Sequence, residues 1–203
     1  MKNAQFSGKI RLAMLASGSG TNVENFIHHF RNHSLIEIAV IITNNAHAGV
    51  LERAARAGIP AVVISRAQWV GGHQPLEVLH RFAVDYVILA GFLQLIDSRL
   101  IQAFPEKILN IHPALLPKYG GKGMYGMKVH QAVIQAGEAY SGISIHLVNE
   151  QYDQGQILFQ SKVEVASDDT PECLAQKIHQ LEYQFFPRVV EDYVMKRESQ
   201  AEN

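Results

Sequence analysis

The sequence predicts an α/β protein built on a doubly wound, mostly parallel open sheet that ends in an antiparallel strand pair and a long C-terminal helix. Three observations predict it. Five short, nearly continuous apolar runs fall within the first 112 residues, as expected for strands covered on both faces. Stretches with helical spacing separate them, which gives the βαβα rhythm of a parallel sheet. After residue 113 the rhythm stops, and two strand-like runs joined by a short turn precede one long helical stretch.

The first run, IRLAMLA (10–16), leads through ASGSGTN (16–22) into a helix from Val23 to Phe30. IEIAVIIT (36–43) is followed by a helix from Val50 to Ala57 that Gly58 ends. PAVVIS (60–65), a helix from Leu76 to Phe82, DYVILAG (85–91), a helix from Leu100 to Phe104 and KILNIH (107–112) complete the parallel part. A Pro/Gly-rich loop then reaches Met124, and a helix covers Met127 to Ala136. GISIHLV (142–148) and QILFQSKVEV (156–165) form the antiparallel pair. The last helix runs from Pro171 to Lys196, with Thr170 as N-cap and Pro171 at its first position, and leaves RESQAEN as a frayed tail.

Composition excludes several function classes. With 47% hydrophobic and 18% charged residues, 203 residues suffice for one sizeable core, and no repeat or linker divides them. A net charge of -1 provides no basic field for nucleic acid or an anionic membrane, so neither partner is expected. The single cysteine, Cys173, permits no internal disulfide and no Cys/His metal cluster, so no metal is expected either. No signal peptide or spanning helix is legible, which predicts a cytoplasmic protein.

Three constellations could carry chemistry. In ASGSGTN, glycines after a strand let backbone N–H groups approach a ligand, and the following helix start favours an anion. Gly18, Ser19, Gly20, Thr21 and Asn22 therefore form a candidate phosphate cradle. The same turn also reads as a tight connection capped by Thr21 or Asn22. In ILNIHPALLPKYGGKG (108–123), Asn110 and His112 are two apart on a strand and project to one face. Pro113, Pro117 and three glycines keep the next segment out of helix, so the strand end stays open. An amide there can orient a carbonyl, and an imidazolium can stabilise an oxyanion. A buried histidine with a local hydrogen bond would look the same. In YDQGQI (152–157), Asp153 is what any turn contains, but beside His112 its carboxylate would raise the imidazole pKa and hold it protonated.

SGSGTN, LAGFLQLI (89–96), LNIHPALLPKY (109–119), SGISIHLV (141–148) and DQGQI (153–157), in that order, closely resemble the folate-dependent formyltransferases, in particular those of purine biosynthesis. The resemblance spans roughly residues 9 to 190 and implies the Rossmann-like formyltransferase fold. It implies formyl transfer from 10-formyltetrahydrofolate, a co-substrate, to the amine of glycinamide ribonucleotide. By matching position, Asn110 would hold the formyl oxygen, His112 would stabilise the oxyanion, and Asp153 would keep His112 charged and assist proton transfer. Gly20, Thr21 and Asn22 would bind the substrate phosphate, and Glu182 the ribose. Leu93, Gln94, Leu95 and Ile96, with Asn110 and Val148, would line the folate pocket, while His146 and Ser144 lie near the site. A single domain over 1–203 is expected, with a phosphate-binding half at about 9–105 and a catalytic, folate-binding half at about 106–197, as a monomer or homodimer.

Two departures stand out. Gln94 sits where many members carry arginine, and the tail-holding arginine of other members has no certain match near Arg66. The GGKGMYGMKVH loop is longer than the PGLHTH form, with Lys122 and Lys128 as added charge. Among alternatives, an enzyme formylating initiator methionyl-tRNA would carry a further C-terminal domain, and a 10-formyltetrahydrofolate hydrolase an N-terminal one. A non-catalytic nucleotide-binding module would leave Asn110, His112 and Asp153 unexplained.

Overall fold

Along β1 (Ile10–Leu15) successive side chains enter two different hydrophobic layers, Leu12 and Met14 joining one and Ala13 and Leu15 the other. Such a strand must be central, since both of its faces are covered. In the computed structural model, which describes residues 8–201, it lies third in a seven-stranded sheet of order β3-β2-β1-β4-β5-β6-β7. Here β2 is Ile36–Thr43, β3 Ala61–Val63, β4 Tyr86–Leu89, β5 Ile108–His112, β6 Tyr140–Leu147 and β7 Ile157–Glu164. The first five strands pair in parallel, and β6 and β7 are antiparallel. The helices are α1 (Thr21–Phe30), α2 (Val50–Ala57), α3 (Arg66–Trp69), α4 (His73–Arg81), α5 (Ser98–Ala103), α6 (Met127–Gln135) and α7 (Pro171–Ala201).

The fold class is the expected one, with differences at some ends. α1 begins at Thr21 rather than Val23, and α4 at His73 rather than Leu76. The short α3 adds to the expected helices, and Ser65-Arg-Ala-Gln68 carries its signal. The Ser65 hydroxyl accepts from the Gln68 N–H, and the Gln68 side chain accepts from the Ser65 N–H at 3.0 Å.

The C-terminal tail corrects an expectation over residues 197–201, while Glu202 and Asn203 lie outside the described residues. α7 continues to Ala201 because residues beyond Lys196 are tied to distant strands and turns. Arg197 bonds Glu106 at 2.7 Å, and the Tyr86 hydroxyl donates to Glu198 at 2.6 Å. Inside α7, Pro187 has no N–H, so the Tyr183 carbonyl one turn earlier loses its helical donor. Asn25 of α1 donates to it instead at 2.7 Å, which stitches the two helices together.

Strand order reverses between β1 and β4, the position where open α/β sheets form a crevice beyond their strand ends. The turns after both strands are joined there. The Ser17 N–H donates to the Gly91 carbonyl at 3.0 Å, and the Leu93 N–H donates to the Ser17 hydroxyl at 2.9 Å. Among the described residues no helix is long and apolar enough to cross a membrane.

Candidate active site

Two strands build the centre. On β5, Asn110 and His112 share a face, and the antiparallel register sets His146 opposite Asn110 and Ser144 opposite His112. Directly opposed residues point to the same side, so one period-2 pattern on each strand makes a polar square across the β5–β6 pair. Ser144 uses its corner for architecture. Its hydroxyl donates to the Ala114 carbonyl at 2.7 Å and accepts from the Leu116 N–H at 2.9 Å, pinning the loop that follows His112.

The fourth functional group comes from the turn between β6 and β7. Asp153 has a positive φ of 54°, which a short polar side chain tolerates, and its Oδ2 accepts from the Gly121 N–H at 2.9 Å. The carboxylate lies 3.5 Å from His112 Nδ1 and 3.6 Å from His146 Nε2. Carbonyl partners set both tautomers, since a carbonyl oxygen only accepts. His112 Nε2 faces the Tyr119 carbonyl at 2.7 Å, so Nε2 carries the hydrogen and Nδ1 faces Asp153. His146 Nδ1 faces the Leu147 carbonyl at 2.8 Å, which leaves Nε2 to accept from the Asn110 amide at 3.0 Å. Asn110 thereby keeps a second amide hydrogen free of His146.

The charge expected on His112 needs correcting. Burial lowers its pKa, while Asp153 and the Tyr119 carbonyl raise it. Burial wins, and the net direction is downward from the ordinary 6.5. At neutral pH the resting imidazole is therefore uncharged, with an open Nδ1. For Asp153 burial pushes upward, but His146, His112 and the Gly121 N–H together outweigh it and hold the carboxyl below its ordinary range.

Asn110, His112, His146 and Asp153 line one cavity, together with Leu93, Gln94, Leu95, Ile96 and Val148. A second hollow of about 560 Å³ continues from it, sharing Leu93, Gln94, Leu95, Tyr125 and Tyr152. Arg66 lines that hollow and so faces the same space as Gln94, whereas Lys122 lines neither and Lys128 stacks over the Tyr125 ring at 4.7 Å.

Gly20, Thr21, Asn22 and Glu182 lie outside that lining. Gly20 is the N-cap of α1 in the left-handed region, and no side chain caps the helix, so Thr21 and Asn22 are not the caps that one reading of the sequence allowed. Asn22 instead donates to buried Glu182 at 2.8 Å, joining the first half of the chain to α7. Burial raises the Glu182 pKa, against the Asn22 hydrogen bond and nearby His179.

The family model described as formyl transferase matches residues 10–190. The chain belongs to this family. A chloroplastic phosphoribosylglycinamide formyltransferase of Arabidopsis thaliana is 44% identical over 89% of this chain and 64% of its own length. Another, from Vigna unguiculata, is 43% identical over 89% of this chain and 60% of its own length, so the chain spans less than two thirds of these plant proteins. The phosphoribosylglycinamide formyltransferase of Haemophilus influenzae is 36% identical over 89% of this chain and 85% of its own. Among solved structures, glycinamide ribonucleotide transformylase 1 from Symbiobacterium toebii superposes with a TM-score of 0.84 at 34% identity, covering 93% of this chain and 90% of that one.

No sequence motif points to His130 on α6. It is buried and its Nδ1 has no partner. Burial pushes its pKa down to about 4, with His179 and His112 adding to the shift. Between pH 6.5 and about 4 the unfolded chain takes a proton that the folded imidazole refuses, so stability is lost as pH falls through that window. The loss should reach about 3 kcal/mol at most. Urea unfolding across this range should show a steeper pH dependence for the wild type than for His130→Phe; equal slopes would refute the assignment.

Proposed function

We propose that this chain transfers the formyl group of 10-formyltetrahydrofolate to the amine of glycinamide ribonucleotide, without a metal. The observation that carries the reading is the meeting of Asn110, His112 and Asp153 in one cavity with apolar side chains beside them. A pterin fits such a wall, and the adjoining hollow suits the remainder of the folate. The uncapped turn at Gly20, Thr21 and Asn22 suits the phosphate, and buried Glu182 the ribose hydroxyls. We further infer a cytoplasmic protein acting as a monomer or homodimer, with no nucleic-acid or membrane partner.

The free amide hydrogen of Asn110 holds the formyl oxygen. As the substrate amine adds to the formyl carbon, the oxygen gains negative charge and the nitrogen must lose a proton. His112 Nδ1, uncharged at rest, takes that proton with help from Asp153, directly or through water. The imidazolium so formed stabilises the oxyanion while Asp153 balances its charge. When the carbonyl re-forms, the bond to the folate nitrogen breaks and the proton passes to that nitrogen. His146 acts by holding the Asn110 amide rather than by touching substrate.

The test is to mix purified protein with 10-formyltetrahydrofolate and follow folate absorbance with glycinamide ribonucleotide, with tRNA or with water alone. Turnover should require the ribonucleotide; equal turnover in water would mean a hydrolase.

With Gln94 uncharged, Arg66 is the cation placed to meet the folate glutamate tail. Arg66→Ala should weaken binding of tailed folate analogues about fivefold or less, an effect that shrinks at high salt, and leave tailless analogues unchanged. Equal weakening of both would place Arg66 away from the tail.

A further inference from the structure

Between Phe92 and Ile96 the chain has left β4 and not yet entered α5, so neither a sheet ladder nor a helix fixes its path. Leu93, Gln94 and Leu95 nevertheless border both the cavity of Asn110 and the adjoining hollow. Phe92 and Ile96 are buried and anchor the ends, which leaves the half-exposed Leu93 and Leu95 between them. Among the described residues, the backbone from Phe92 to Ile96 makes two hydrogen bonds, each to a side chain from a distant part of the chain. The Leu93 N–H donates to the Ser17 hydroxyl at 2.9 Å, and the Leu95 carbonyl accepts from the Trp69 indole N–H at 2.9 Å.

Both of these side chains are themselves held. Ser17 is buried, and its hydroxyl gives its one hydrogen to the Asn44 side-chain oxygen at 2.6 Å. That hydroxyl therefore has no hydrogen left for a phosphate, although Ser17 immediately precedes Gly18 of the glycine-rich turn. Trp69 is buried too, with its ring packed on Phe92 at 4.6 Å between centroids, so the direction of its N–H is set by packing.

We propose that Ser17 and Trp69 are positioning residues of the folate site: the hydroxyl and the indole N–H hold the Leu93–Leu95 segment where it meets the folate, and Ser17 serves this wall rather than the ribonucleotide phosphate. For the identity of the two ligands the assignment rests on the formyl-transfer reading. The test titrates tetrahydrofolate and glycinamide ribonucleotide separately into the full-length protein by calorimetry. Ser17→Ala should weaken tetrahydrofolate binding about three- to tenfold, the worth of one neutral hydrogen bond, and change ribonucleotide affinity by no more than about twofold. Trp69→Phe keeps an aromatic ring against Phe92 and loses only the N–H, so it should act in the same way. Without any ligand, the Leu93 amide should exchange its hydrogen faster in both variants, since Trp69→Phe frees the segment without removing the bond of Leu93 itself. Ser17→Cys, a weaker acceptor of the same shape, serves if Ser17→Ala does not fold. Weakened ribonucleotide binding alone would return the hydroxyl to the phosphate turn and overturn the proposal. Equal weakening of both ligands, unchanged tetrahydrofolate affinity in either variant, or unchanged Leu93 exchange would overturn it as well. Wild-type protein that binds neither ligand would refute the formyl-transfer reading, while Leu93 exchange would still decide whether the two side chains hold the segment.

Discussion

Replacing His112 with alanine should lower turnover by about 100- to 1,000-fold, the scale of losing one donor aimed at an oxyanion. The Michaelis constant for glycinamide ribonucleotide should change little, because the contacts proposed for it, the α1 turn and Glu182, lie outside the cavity that His112 lines. The acid limb of the pH profile distinguishes this from a general loss of structure. A His112 pKa held down by burial places the fall in wild-type turnover below pH 6.5, where Nδ1 becomes occupied before the amine arrives. His112→Ala should lose that limb along with most of the rate. Near-normal turnover in the variant, or an unchanged acid limb, would remove His112 from the chemistry.

Gly155→Ala should cost about 3 kcal/mol of stability, at the upper end for overpacking, and should lower turnover even in protein that still folds. A Cβ at this position would stand 1.7 Å from the Leu147 carbonyl oxygen, a backbone atom that cannot rotate away. Either β6 or the turn must shift, and Asp153, two residues earlier, shifts with it. Gly58→Ala is the contrasting case: φ is 66° but nothing lies within 4 Å, so only the left-handed strain of about 1 kcal/mol is expected. Comparable melting temperatures for the two variants would show that the packing at Gly155 yields. The same reasoning makes Gly20→Val a poor probe of phosphate binding. The added Cβ would meet Val50 at 2.5 Å, so misfolding would hide any binding effect.

What could be read from the sequence was local. The pairing of Asn110 with His112 depends only on the period of a strand, and the runs that made the parallel sheet depend only on their own apolar composition. Register is not local. SIH at 144–146 carries the same period-2 signal as NIH at 110–112, yet nothing within either triplet says that the two are opposed. Burial is not local either, which is why Asp153 was expected to leave His112 charged when desolvation decides the balance. The tail was read as frayed because Arg197 and Glu198 find partners 91 and 112 residues away. Asn22 and Glu182 are 160 residues apart, and only the family resemblance linked them to one ligand. Ser65 to Gln68 differs from these cases, since its capping signal lies wholly within four residues.

The central claim is that the cavity of Asn110, His112 and Asp153 hands a formyl carbon to an amine. It is tested most directly by following that carbon. With 10-formyltetrahydrofolate labelled with ¹³C in its formyl group, glycinamide ribonucleotide and the purified protein, carbon NMR should show the label leaving the folate and appearing as an N-formyl amide on the glycyl nitrogen, with tetrahydrofolate formed in equal amount. Label recovered as formate, or remaining on the folate while the protein is folded and both substrates are present, would contradict the account.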